Sequence, residues 1–242
     1  MVERMASRQA PDEAAPGGTK LALPPWIAAR RAAGAERVSA LGLAGFLAIF
    51  VAVRAKRTEA IDLAITLRWQ RVTHPLLGRA MTAISWPGFP PQSRVIPPLL
   101  MATEVVLGMP LEAGFQLLAW LTGAISEGLK ALMRRERPVA GTDLRVVAAP
   151  LGGTSFPSGH VITYVGTYGW LAYTVHSRLR PRWPRRIVVA CLGGLIVAVG
   201  PSRIYQGHHW PTDVAASYLL GTSYVTLLAA IHRRVSSRAS RR

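Results

Sequence analysis

Six apolar runs, set between basic residues, constrain this chain more than any other feature. They cover residues 38–53, 95–111, 113–129, 160–177, 187–202 and 214–231. A helix needs about 20 residues to cross a bilayer, and several of the runs sit at the lower edge of that range. One alone would pass for a buried soluble helix. Six in a chain of 242 residues, joined mostly by short basic connectors, read as membrane spans. The expected fold is all-α, a bundle of six transmembrane helices.

Composition agrees. Charged residues make up 17% of the chain and the mean hydropathy is +0.24, against roughly a quarter charged in soluble domains. The net charge of +17 suits nucleic acid, an anionic membrane surface or an anionic substrate. Neither basic end carries a nucleic-acid motif or an aromatic pattern, so no nucleic-acid partner is expected. The single cysteine, Cys191, excludes an intramolecular disulfide and reads as packing. No repeat of 20–50 residues is present.

Residues 1–36 lack the order of a signal peptide and read as a flexible basic tail. The membrane domain is expected over 37–232, with a second basic tail over 233–242. Between spans one and two, Ile61, Ile65, Leu67, Val72, Leu76, Met81 and Ile84 recur among Arg68, Arg71 and Arg79. That spacing predicts an amphipathic surface region of one or two helices, broken near Pro75. Segments 86–91 and 149–153 read as turns. Trp86, Trp170, Trp183 and Trp210 read as interface anchors. Glu104 lies within a span and is expected to pair inside the bundle.

Basic residues favour the cytoplasmic side of short connections. Residues 178–186 hold Arg178, Arg180, Arg182, Arg185 and Arg186 with no acid. This places both termini in the cytoplasm. The protein is then an integral protein of the plasma membrane, with spans three to six opening three polar segments on the outer side.

Those segments carry the chemistry. The first runs from Lys130 to Arg137 and Pro138. The second is Phe156-Pro157-Ser158-Gly159-His160. The third runs from Ser202 and Arg203 through His208 and His209 to Asp213. All fall at the same end of a six-span bundle. Lys130, Arg137 and Arg203 supply cations to phosphate oxygens, and arginine does so in pairs of hydrogen bonds. Ser158 sits at an N-cap position and Gly159 admits close backbone approach, so the helix start would face an anion. His209 can attack phosphorus if a carboxylate holds its other ring nitrogen, and Asp213 lies four residues on. His160 is left as the acid for the departing alkoxide. Glu127, three residues before Lys130, is expected to pair with it. His208, His209 and Asp213 also have the chemistry of metal ligands, though three nearby cations oppose a metal. Arg134 and Arg135 read as the ordinary basic flank of a helix.

The pattern Lys-x6-Arg-Pro, then Pro-Ser-Gly-His, then Ser-Arg-x5-His-x3-Asp resembles the type 2 phosphatidic acid phosphatase superfamily. The resemblance spans Lys130 to Asp213 with no departure at the motif positions. It implies a six-helix membrane lipid phosphatase working without metal or other cofactor. It also implies a phosphohistidine at His209, with Asp213 as its partner and His160 as the acid. Lys130, Arg137, Ser158, Gly159 and Arg203 correspond to the phosphate binders, and His208 lies outside the pattern. Phosphatidic acid, phosphatidylglycerol phosphate and polyprenyl pyrophosphate are all compatible substrates. A vanadate-binding haloperoxidase shares such a site but is soluble. A lipid phosphotransferase and a non-enzymatic binder of anionic lipid are the other readings.

Overall fold

The structure is a computed structural model and describes residues 25–139, 144–146 and 153–239. These residues are helical wherever they are regular, with no strand among them. The helices are α1 (Pro25–Arg54), α2 (Glu59–Gln70), α3 (Pro75–Ser85), α4 (Gln92–Val106), α5 (Pro110–Trp120), α6 (Thr122–Met133), α7 (Gly159–Arg178), α8 (Arg182–Tyr205) and α9 (Pro211–Ala239). A 3₁₀ turn, Trp86–Gly88, follows α3. Helix α1 opens inside the segment read as a tail, and α9 continues through residues 233–239. Residues 1–24 and 240–242 lie outside the described residues.

Among the described residues, three segments are long and apolar enough to cross a membrane: Ala33–Arg54, Arg182–Tyr205 and Pro211–Ser237. Their apolar side chains stay largely on the outside, as with Leu41, Val51, Ile187, Val197 and Leu227. That is the arrangement lipid requires and water forbids. Of the other apolar runs, the one in α7 is unbroken over 20 residues but more polar, and the remaining two are broken. Helix α4 holds Pro97 and Pro98, and the third run splits at Leu121 into α5 and α6.

Helix α7 is the centre. Val161, Ile162, Tyr164, Val165, Gly166, Tyr168 and Trp170 are buried, and α5, α6, α8 and α9 pack around it. Helix α1 packs along α9, and α3 along α8. Hydrocarbon does not drive helices together, so close backbone approach and hydrogen bonds must hold them. A Cβ at Gly166 would lie 2.3 Å from the Ala119 carbonyl oxygen, and one at Gly42 would lie 2.2 Å from Ser223 Oγ. Pro201 has no N–H, which leaves the Val197 carbonyl without its helical donor. The Tyr218 hydroxyl lies 2.8 Å from the carbonyl oxygens of both Ile196 and Val197 and accepts from Gly200 N–H at 3.0 Å.

The amphipathic region forms two helices broken before Pro75, and α2 turns its apolar row outward. Its polar row Asp62, Thr66 and Gln70 is buried, while Ile61, Leu63, Ile65 and Trp69 are exposed. Three expectations differ. Trp170 is buried, donating its indole N–H to the Glu112 carbonyl at 3.1 Å. Cys191 is exposed. Glu104 is buried with neither carboxyl oxygen hydrogen-bonded. Its neighbour Glu112 takes the available cation, Arg178, with His232 at 3.3 Å.

Adding a methyl group at Gly166 must push α5 and α6 off α7. Gly166→Ala is expected to destabilise the fold by about 1–3 kcal/mol, read as a lower melting temperature in detergent. Gly34→Ala, with nothing near its Cβ, is the control.

Candidate active site

Helix α6 ends on Arg134, whose backbone is left-handed at φ 50° and ψ 38°. A non-glycine residue adopts this at a cost of about 1–2 kcal/mol. The reversal sends Arg135, Glu136 and Arg137 across the end of the bundle. The segment before α7 lies against them. Ser155 N–H donates to the Arg135 carbonyl at 2.8 Å, and its hydroxyl to the Glu136 carbonyl at 3.0 Å. Below, Phe156 is wedged against Phe46 and Phe50 with ring centroids 6.1 and 5.9 Å away. The linker from α8 to α9 closes over the top, with the Trp210 indole donating to the Glu136 carbonyl at 3.0 Å. The three polar segments of the sequence therefore meet at one end of the bundle.

His209 is 2% exposed. Its Nδ1 lies 2.8 Å from the Ser155 carbonyl oxygen. A carbonyl only accepts, so Nδ1 carries the proton and Nε2 is the bare nitrogen. Arg137 Nη1 stands 3.3 Å from Nε2 and donates to the His208 carbonyl at 2.7 Å. Asp213 Oδ2 lies 3.6 Å from Nδ1 and accepts from Trp210 N–H at 2.9 Å. Burial, with Arg137, Arg203 and Lys130 nearby, holds the His209 imidazole well below its usual range, while the Ser155 bond opposes this. The ring is therefore neutral near pH 7, with a lone pair on Nε2.

Arg203 is fully buried in the last turn of α8. It donates to Gln206 Oε1 at 2.6 Å, reaches His208 Nδ1, and sits 4.9 Å from the centre of the Phe89 ring. Lys130 pairs with Glu127 at 2.6 Å, as expected. Ser158 precedes α7, and its N–H donates to Ser217 Oγ at 2.7 Å. Next to it, Gly159 leaves 3.3 Å between a would-be Cβ and Lys130 Nζ. His160 packs edge-on against Phe89 at 4.6 Å and interacts electrostatically with Arg203, His209, His208 and Lys130. All eight residues singled out from the sequence thus gather at this end. Four buried atoms on them have no hydrogen-bond partner: Arg137 Nε, Ser158 Oγ, His160 Nε2 and Arg203 Nε.

Several neighbours were not foreseen. Arg135, taken for a helix flank, forms 2.6 Å ion pairs with both Asp213 and Asp62. Phe89 and Gly88 belong to a segment that read only as a turn, and they roof His160. The Tyr164 hydroxyl holds that turn by donating to the Ile84 carbonyl at 2.8 Å. A cavity of about 630 Å³ reaches Arg135 and Arg137 between the end of α1, the start of α2 and the segment after α6. No cluster of three or more metal-binding side chains occurs among the described residues.

A Cβ on Gly88 would sit 2.3 Å from His160 Cδ2. With His160 as the acid that the motifs imply, Gly88→Ala is expected to displace the ring and lower kcat at least about tenfold. Turnover of folded, membrane-inserted protein checks this.

Residues 113–237 match the PAP2 superfamily. Phosphatidylglycerophosphatase B of Bacillus subtilis (strain 168) is 28% identical over 202 residues, covering 78% of this chain and 92% of that protein. The bacitracin transport permease protein BcrC of Bacillus licheniformis is 42% identical over 67 residues, 28% of each chain. Among solved structures, the transmembrane PAP2-type phosphatidylglycerolphosphate phosphatase of Bacillus subtilis superposes with a TM-score of 0.66 at 24% identity. It covers 81% of this chain and 96% of its own. Aquifex aeolicus LpxE gives a TM-score of 0.55 at 23% identity, covering 69% and 94%. With its apolar helices, its convergent motifs and a family match over half its length, the chain is an integral membrane protein and belongs to the PAP2 superfamily.

Proposed function

We propose that this chain, a membrane lipid phosphatase, splits its substrate through a phosphohistidine formed on His209. The observation that carries the reading is the set of four unpartnered buried polar atoms around a neutral, Nε2-bare imidazole. Buried polar groups without partners are rare and call for a ligand able to satisfy them. A tetrahedral phosphate, with its several acceptor oxygens, suits donors on Arg137, Arg203, Ser158 and Lys130. The α7 N-terminus at Gly159 adds free N–H groups.

His209 Nε2 attacks phosphorus as the bond to the lipid oxygen breaks. His160, protonated once the negative phosphate offsets the cations around it, gives its proton to that oxygen, and the lipid alcohol leaves. Asp213 stabilises the positive charge that forms on the His209 ring. Water then attacks the phosphohistidine while His160 takes back a proton. His209 is restored and inorganic phosphate departs. The spreading charge on phosphorus is balanced by Lys130, Arg137 and Arg203, so no metal is required.

The membrane frame is part of the proposal. Helices α4, α7 and the α5–α6 pair complete six spans with α1, α8 and α9. The arginine-rich 178–186 connection lies in the cytoplasm, and the site opens on the outer face. Helices α2 and α3 lie near that surface with apolar faces toward lipid. The relatives' names point to lipid phosphates as substrates, with phosphatidylglycerol phosphate, phosphatidic acid and polyprenyl pyrophosphate as candidates. A phosphotransferase would use the same intermediate and differ only in its acceptor.

Purified protein in detergent, offered these lipids in excess chelator, is expected to release phosphate. His209→Ala is expected to lose at least about a thousandfold in kcat, as loss of a nucleophile does, while inserting normally. Full activity in that variant contradicts the reading.

A further inference from the structure

We infer that Arg135 and Asp62 are positioning residues: a buried Asp62–Arg135–Asp213 relay sets the carboxylate beside His209 and makes α2 a working wall of the site. The inference rests on His209 being the nucleophile. Arg135 fills one of the unspecified positions of the first motif, and Asp62 lies outside residues 113–237.

The geometry is specific. Arg135 uses its two terminal nitrogens separately. Nη1 donates to Asp213 Oδ1 at 2.6 Å and to Thr212 Oγ1 at 2.8 Å; Nη2 donates to Asp62 Oδ2 at 2.6 Å. Both carboxylates are buried. Asp62 also accepts from Thr212 N–H at 2.9 Å and from its hydroxyl at 2.8 Å. It therefore grips the first turn of α9, the turn that carries Asp213. The Trp210 ring, 5.8 Å from the guanidinium carbon, covers the relay from outside.

The arrangement has a consequence for His209. Asp213 Oδ1 is tied to Arg135 and Oδ2 to Trp210 N–H, which leaves Oδ2 3.6 Å from Nδ1. The carboxylate is close enough to stabilise an imidazolium but is prevented from capturing the Nδ1 proton from Ser155. Arg135 withholds part of its charge. A free guanidinium would overcompensate Asp213, and Asp62 balances it from the far side. Lysine could meet one carboxylate well but lacks the planar fork that serves both.

The other groups bearing on His209 are Lys130 of α6, Arg137 after α6, His160 of α7, Arg203 of α8, and His208 beside it. Arg137 reaches His209 Nε2 and Arg203 acts on the ring through its charge, and both are left in place by the variants that follow.

Arg135→Gln, Arg135→Lys and Asp62→Asn test the relay by steady-state kinetics on protein whose insertion and melting temperature have been measured. Loss of such supporting contacts typically costs about 10–100-fold in activity. The fall is expected in kcat, with KM changed less than about threefold, since neither residue is assigned to phosphate. Arg135→Lys is expected to recover part of the loss. With its partner cation gone, Asp213 favours the imidazolium, so the acid limb of kcat/KM moves to higher pH in Arg135→Gln. In an Asp213→Asn background, Arg135→Gln should cost less than about threefold more.

A purely structural role would lower the melting temperature and leave kcat and the acid limb per folded molecule unchanged. That result overturns the relay, as does full additivity with Asp213→Asn. Should Arg135→Gln fail to fold, the near-isosteric Asp62→Asn decides alone: wild-type kcat overturns the relay. Activity surviving in His209→Ala would instead sink the phosphohistidine reading, so the two failures are separable.

Discussion

Positive charge buried at the end of an apolar bundle is expensive, and the site is organised around keeping it there. Removing an ion from water costs several kcal/mol even after relaxation. Arg203 is fully buried, Arg137 is partly so, and His209 is held neutral beside them. Both arginines are met by something weaker than a full ion pair, while Lys130 pairs with the exposed Glu127. Arg203 has Gln206, His208 and the Phe89 ring; Arg137 has a carbonyl and an imidazole. Arg135, by contrast, is paired with two buried carboxylates. The cations that face the reaction centre thus retain attraction for an anion, whereas the cation behind it is spent on holding the frame.

The frame depends on contacts that lipid cannot supply. Helix α7 brings Ser158, Gly159 and His160 to the site because Gly166 allows α5 and α6 close against it. Tyr218 repairs the gap left by Pro201 and so keeps α8 regular up to Arg203. The left-handed turn at Arg134 then folds Arg135 and Arg137 back over the histidines. Asp62 fastens α2 to the same turn of α9 that presents Asp213.

The motif residues were legible because their spacing is fixed by chemistry within short segments: His209 and Asp213 are one helical turn apart, and Ser158 to His160 form a helix start. What escaped was set by tertiary reversal. Arg135 looks like any basic flank, since nothing local announces that Arg134 turns left-handed. Asp62 was passed over because only the apolar row of this amphipathic segment was followed. The apolar stripe of α2 faces outward, so the informative row was the polar one at Asp62, Thr66 and Gln70. Glu104 was expected to find a partner, but Glu112 holds both Arg178 and His232. Long apolar helices α1, α8 and α9 were plain in hydropathy. The third run was not, because its break at Leu121 replaces one long helix with two short ones.

The account turns on covalent transfer of the phosphoryl group to one ring nitrogen. Rapid alkaline quench during turnover of a labelled lipid phosphate, followed by peptide mapping, tests it most directly. The account predicts label on His209, stable to base and lost in acid. Label on His208 or Ser158, or product formed in a first turnover with no labelled residue, would contradict it.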